Sequence, residues 1–412
     1  MASLMLSFPA FATTQMLMGG CTDVLTDSTR VCPVDVYHYD LATEANVRTL
    51  VGVAGALSAM RFTLTTAPGA GESRTPTVRV NAASSILACT ISGTATTCTD
   101  SDSVSVSAGD ELTLQITRGS AGTVNSDNGW LTLTFTPTTA NEVQVGGGTA
   151  DGVISATVTN YVPLLGVGFT DTDEEATVTR VLTPGTFQNF YADLSGSPDN
   201  GVGTQSYTFT VRKNKADTTI TCAVSETATT CNDTANSFSV VAGDVISVSS
   251  VPANTPTVRV IAFGARFLPA AQEEVIFGVH RMDAPASTSV ANFSMAAMSI
   301  GDWDSSETGS RSRSMTQAFT ITSFGARMVT APDNGAGVQS YAFVVRDDGA
   351  STNQTCTISE AETTCNFTTG RTRIADQSLI GVMATPSGTP TASRTITSIL
   401  GTLGPRRVFT SQ

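Results

Sequence analysis

The chain has 412 residues, only 14% of them charged, and 22 Lys and Arg against 35 Asp and Glu give a net charge of −13. It has no Lys/Arg cluster to neutralise nucleic-acid phosphate and no run of ~20 apolar residues to make a spanning helix, so neither nucleic acid nor membrane is an expected partner. With two histidines, His38 and His280, a His-based metal site or repeated His acid–base chemistry has almost no raw material.

At the N-terminus, LMLSF at 4–8 is apolar and an AFA follows at 10–12, but the basic segment of a secretory signal is missing. The run is therefore read as the first strand of the first unit, in register with NEVQVGGG at 141–148. LATEANVRTL at 41–50 is the best helix-period stretch, and it is weak. Elsewhere the period is two: Val104/Val106, Leu112/Leu114/Ile116, Phe209/Val211 and Val258/Val260 alternate with polar residues. Turn clusters of Gly, Pro, Asn and Asp recur about every ten residues. The pattern predicts an all-β protein of antiparallel sandwich or jelly-roll type.

All eight cysteines fall into pairs, and three pairs share a spacing of nine: Cys89/Cys98, Cys222/Cys231 and Cys356/Cys365. Their intervening text is alike (CTISGTATTC, CAVSETATTC, CTISEAETTC), and the first cysteines stand 133 and 134 residues apart, at 89, 222 and 356. Ten residues before each pair is an Arg in a strand-like run: Arg79, Arg212 and Arg346. PDNGVGTQSY at 198–207 returns as PDNGAGVQSY at 332–341, and SVSVSAGDELTL at 103–114 as FSVVAGDVISV at 238–248. The third copy degrades the Gly-Asp turn to RIADQSLIGV. Each unit closes with an apolar strand and a proline, at Pro137, Pro269 and Pro405. Three tandem units follow: 1–137, 138–270 and 271–412, the last with a short C-terminal tail.

The nine-residue spacing fits a hairpin whose ends a disulfide bridges, closing a loop worth roughly 2–3 kcal/mol. Cys21 and Cys32 form a fourth expected bridge, found in the first unit. A structural zinc site wants four ligands and no pair has a nearby His or second pair, so no metal or cofactor is expected. Fully paired cysteines point to an oxidising setting.

Several residues admit a site reading beside a plainer one. Arg79, Arg212 and Arg346 either make a repeated contact with an acidic partner or pair with an acid of the following strands, stems laid on apolar surface. Asp199-Asn200-Gly201 and Asp333-Asn334-Gly335 are first turn chemistry and only second a cation loop. Asp171, Asp173, Glu174 and Glu175, and Asp302 and Asp304 around Trp303, are oxygen-rich in the way calcium uses but lack a known spacing, so solvated loops are expected. No Gly-x-Ser-x-Gly elbow accompanies His38 or His280. Two tryptophans, Trp130 and Trp303, are few for stacking against sugars. No catalytic set is expected.

The text YxFxVRxN, a short connection, a V-x-A-G-D-x-(I/L)-x-V strand and a Pro-containing turn resembles jelly rolls of the tumour-necrosis-factor/complement type. Its carriers are Tyr207–Asn214, Val241–Val248 and Val251–Pro256. Similar acidic, Thr/Ser/Gly-rich text is found in bacteriophage capsid decoration (cement) and fibre proteins. The resemblance implies trimer-forming domains. Connections of about seven residues (136–142 and 268–274) reach at most ~25 Å, which permits a single-chain pseudo-trimer or a rod, the compact form being expected. As the resemblance implies, the expected function is a non-enzymatic structural one on a virion, decorating the capsid through contacts with the major capsid or other virion proteins. A tail fibre or spike component, or a secreted or cell-surface adhesin for carbohydrate or protein, is the alternative. The expected solution state is a monomeric pseudo-trimer or a homotrimer.

Overall fold

A computed structural model describes residues 14–22, 29–39, 41–119, 128–150, 152–167, 170–271, 282–283, 289–294, 297–298, 306–307, 313–314, 318–335, 337–391 and 394–402. No α-helix is found among them. The stretch 41–50 resolves into a single 3-10 turn, Glu44–Asn46, and a two-residue strand, Thr49–Leu50. The same turn recurs at Glu174–Ala176.

Six mainly antiparallel sheets pair into three sandwiches along the chain. In the second unit the first strand is Val143–Gly148 and the second is broken into Asn160–Val162 and Thr179–Arg180. The third to fifth are Gly185–Leu194, Ser206–Lys213 and Ala216–Ser225. The sixth to eighth are Thr230–Val240, Val245–Ala253 and Ile261–Pro269. One sheet is ordered first, eighth, third, sixth, and the other second, seventh, fourth, fifth, which is jelly-roll order. The first unit (Gln15–Thr22 to Gly129–Pro137) and the third (Met282–Asp283 to Arg394–Thr402) repeat it.

The two-residue period builds the core. Along the fourth strand Tyr207, Phe209 and Val211 are buried, with Ile246 and Val248 beside them on the seventh. Phe187, Phe190, Phe263 and Phe267 meet them from the opposite sheet. Phe209 and Phe263 close the gap edge to face, centroids 5.6 Å apart. Each such side chain, fully buried, contributes about 2 kcal/mol.

Two strand expectations need correction. The place of Val143–Gly148, antiparallel to the eighth strand, is filled in the first unit by Gln15–Thr22 and not by 4–8, which lies outside the described residues. A constant offset fails because loop lengths differ between copies. Val258/Val260 is also no strand: Val258 is exposed in the loop, and the eighth strand starts at Ile261. Alternation of two residues is too short a signal to separate strand from loop.

The units are not strung in a row. Gln144 on the first strand of the second unit reaches into the first unit: its Nε2 donates to Leu50 O at 2.9 Å, and its Oε1 accepts from the N–H of Gly52 (2.6 Å) and Val53 (3.2 Å). Glycines let the backbones touch there. A Cβ on Gly52 would lie 2.3 Å from the Ala265 carbonyl carbon, and one on Gly264 2.4 Å from Leu50 O. Second and third units meet through Arg327 and Glu175, and through Arg180, which donates to Asn366 at 2.7 Å. The third returns to the first, where Ala297–Met298 adds a parallel strand beside Val36–Tyr37, and Met16 and Met18 join the third unit's core. Each unit thus touches both others, which a rod does not allow.

Candidate functional site

All four expected disulfides form, with Cα atoms 5.8 Å apart for Cys21–Cys32, Cys89–Cys98 and Cys222–Cys231, and 5.6 Å for Cys356–Cys365. The hairpin expectation is corrected. Cys222 lies on the fifth strand, opposite Phe209 of one sheet, and Cys231 on the sixth, opposite Ala192 of the other. Cys356 and Cys365 divide in the same way. Cys89 hydrogen-bonds Pro76 in one sheet while Cys98 pairs with Phe62 in the other. Cys21 and Cys32 also sit on different sheets. Every bridge therefore staples sheet to sheet. Spacing could not tell an arch from a hairpin, because both bring the chain ends within disulfide reach.

An acid that sequence reading missed reinforces two staples. Asp233, two residues past Cys231, accepts the Thr221 N–H at 3.0 Å across the arch, and Asp100 accepts that of Ala88 at 2.8 Å. Burial works to raise the Asp233 carboxyl, but hydrogen bonds from Asn236, Thr221 and Ala235 outweigh it and hold it below the ordinary value. The third unit has Phe367 at this position. The Cys-x-Asp shared by the first two copies was the available signal.

Arg79, Arg212 and Arg346 occupy one position in three units, and each spends its guanidinium inside its own unit. Nε donates to Glu44, Glu174 and Glu307 at 2.9, 2.9 and 3.0 Å. Nη1 turns to the residue five further on, Ser84, Asp217 or Ser351, and Nη2 to the carbonyl three further on, of Ala82, Lys215 or Gly349. The acid lies 35, 38 and 39 residues before the Arg, so pairing with an acid of the following strands holds only for Arg212 with Asp217. Thr113 and Ser247 donate to the same Glu44 and Glu174 oxygens at 2.5 and 2.7 Å, whereas the third unit has Gly381 there. Burial opposes the Arg212 charge, but Glu174 and Asp217 overcome it and lift the group above its ordinary value.

The Gly-Asp turn is tied to the same strand. Asn214, in left-handed backbone at φ 51°, donates to Asp244 at 2.7 Å and accepts from Val245 N–H at 3.0 Å; Asn81 treats Asp110 and Glu111 likewise. The degraded third copy keeps the shape: Asp348 accepts from Leu379 N–H at 2.8 Å, and Gln377 stands at φ 69° where Gly109 and Gly243 stand in the others.

Asp199 and Asp333 make Asx turns, each accepting the N–H two residues on, of Gly201 and Gly335, at 2.7 Å. Asn200 and Asn334 tie that loop to Thr255 and Thr389. The solvated-loop reading of 171–175 is corrected for the buried Glu174 and for Glu175, while Asp173 is exposed as expected. Asp173 caps the 3-10 turn by accepting from Glu175 N–H, Asp171 accepts from Asp173 N–H, Glu174 is buried on Arg212, and Glu175 pairs with Lys215 and Arg327. Glu174 and Glu175, which look solvated in sequence, are paired with cations remote in the chain. Among the described residues, no group of three or more His, Cys, Asp or Glu is placed to hold a metal. His38 and Trp130 are buried. His280, Asp302, Trp303 and Asp304 lie outside the described residues, as does Pro405.

Exposed large apolar side chains stand at both ends of the sandwiches. Val241 and Leu379 lie beside the Gly-Asp turn and its third-unit equivalent, with Ile86 on the fifth strand of the first unit, and a larger group stands at the other end. Ser206 pairs with Ala253 at one end of the second sandwich and Lys213 with Ile246 at the other. Val202, Val251 and Val258 belong to the first end, together with Val153 and Val158 of the adjoining loop. Val202 is 75% exposed, and Val338, in the matching loop of the third unit, 80%. Gly201, Gly203, Gly335 and Gly337 hold these loops at φ 72–79°, open to L side chains only with strain. A crevice between the first two units, lined by Pro33, Arg48, Gly148 and Ile261, holds about 10 Å³, room for roughly one water. No protein-family model matches the chain, and no curated protein matches it in sequence.

Proposed function

We propose that the protein is a non-enzymatic structural component of a virus particle, a capsid decoration protein of tumour-necrosis-factor/complement-type jelly rolls acting as a monomeric pseudo-trimer. The observation that carries this reading is the pair of highly exposed valines, Val202 and Val338, on matching glycine-held loops of a body whose units are each stapled and mutually packed. Such a body offers broad contact area rather than a cleft, which is what clamping a shell requires. The four disulfides suggest an extracellular or oxidising environment, where an assembled particle spends its life. Binding through loops on a rigid sandwich is a common division of labour, and the same valines would serve an adhesin.

Mass spectrometry of purified particles tests the reading. Many copies per shell are expected. A handful would assign the protein to a fibre or spike, and absence from particles with presence in the secreted fraction would make it an adhesin. Oligosaccharide released from capsular polysaccharide would overturn the non-enzymatic reading.

A further inference from the structure

Three charged side chains meet where the first two units join. Arg48, just past the turn Glu44–Asn46, sends one guanidinium nitrogen, Nη1, to Glu111 of its own unit at 2.8 Å and to Asp193 of the second at 2.5 Å. Asp193 is 1% exposed. Asp193, buried away from water, therefore shares a single cation with the partly exposed Glu111, and a proton retained on Asp193 relieves the repulsion between the two carboxylates. A further acid lies on this junction. Asp35 accepts from Thr49 Oγ1 at 2.5 Å, and its other oxygen packs against Gly146 of the second unit, close to the Gln144 amide. Among the described residues no cation pairs with it.

The neighbouring charges are committed elsewhere. Glu44 holds Arg79 and Thr113, Asp110 accepts from Asn81 and the Ser107 N–H, and Glu142 holds Arg266. Tyr191 lies against Gly109. The junction of the second and third units is built differently: Glu175 faces two cations, Lys215 and Arg327. At the first junction, by contrast, Glu111 and Asp193 lie beside the single cation Arg48, with Asp35 on the neighbouring Thr49.

We propose that the junction between the first and second units is a proton-controlled clasp, closed while Asp193 keeps its proton beside Arg48 and Glu111 and loosened when that proton leaves. Burial, aided by Glu111 and opposed by Arg48, pushes the Asp193 carboxyl up to about 8. A carboxyl raised in the closed form favours closure fully below its ordinary value, and that preference is lost as pH rises through the raised one. Asp35, pushed up to about 6 by burial, is ionised throughout the upper part of this range. The two acids therefore act in separable windows.

Hydrogen exchange tests the clasp through the Gly52 and Val53 amides, which donate across the junction to Gln144. Corrected for intrinsic exchange, their protection is expected to fall about tenfold between pH 7 and pH 9 in the wild type, with the Phe209 amide of the second core unchanged. Asp193→Asn is expected to abolish the fall, and Glu111→Gln provides the same test if that variant does not fold. Unchanged wild-type protection across this range, or the same fall in a folded variant, overturns the proposal.

Discussion

Asp233 accepts the backbone N–H of Thr221 at 3.0 Å, across the arch that Cys222 and Cys231 close. The same carboxylate takes the N–H groups of Ala235 and Asn236 and the Asn236 amide. Removing it leaves several donors short of partners in a place water reaches poorly. Asp233→Ala is expected to cost about 2–3 kcal/mol, read as a lower urea midpoint with unchanged slope. Because this carboxyl is held below its ordinary value, its contribution is present above that value and is lost as pH falls through the depressed one. The penalty of the variant should therefore shrink as the pH falls below the ordinary carboxyl value.

The covalent staple is expected to act on the same joint by another route. Cys222→Ala with Cys231→Ala opens a loop of sequence separation 9, and the chain-entropy model gives a loss of about 2.5 kcal/mol. Equilibrium denaturation of the double variant beside the wild type, both without reductant, measures it. A loss near zero would mean that Asp233 alone holds the sheets at this edge.

Much of this joint was legible. Three Cys-x8-Cys pairs, three Arg and two Gly-Asp turns at one offset fixed the number of units, and alternation fixed the strand class. The direction of the staples was not legible, because an arch and a hairpin present the same spacing. Glu44, Glu174 and Glu307 were hidden for another reason. They lie 35 to 39 residues before their Arg, in loops whose length varies, so a constant offset cannot find them. A signal was available in the likeness of TEANV at 43–47 and DEEATV at 173–178.

Arg212 and its acid should behave as one buried object. Arg212→Ala leaves Glu174, 8% exposed, facing only Ser247, and removing one partner of such a pair costs about 3–5 kcal/mol. Arg212→Lys is expected to rescue little, since a single ammonium cannot reach Glu174, Asp217 and the Lys215 carbonyl together. Arg212→Met with Glu174→Gln should be less damaging than Arg212→Ala. Thermal denaturation of the three variants ranks them, and a fully rescued Lys variant would contradict the fork geometry.

Gln377 carries the cost of the degraded third turn. A left-handed backbone costs a side-chain-bearing residue roughly 1–2 kcal/mol, and the first two units meet the same demand with Gly109 and Gly243. Gln377→Gly is expected to stabilise the third unit by about 0.5–1 kcal/mol once the extra freedom of glycine in the unfolded chain is subtracted. The corresponding change in the second unit, Gly243→Gln, should destabilise. Paired melting curves test both signs.

Asp35 sets the pH at which the first junction is least burdened. Burial outweighs the Thr49 hydrogen bond and pushes its carboxyl up to about 6. The sign follows from that direction: stability is fully present below the ordinary carboxyl value, near pH 4, and is lost as pH rises through about 6. The shift corresponds to a loss on the order of 2–3 kcal/mol. Asp35→Asn has no charge to bury, so the stability difference between pH 4.5 and 7.5 should shrink by that amount relative to the wild type. Urea titrations of both proteins at the two pH values measure it. Equal differences would place Asp35 in contact with solvent or with a cation, and would remove it from the set of acids that strain the junction of Gly146 with Thr49.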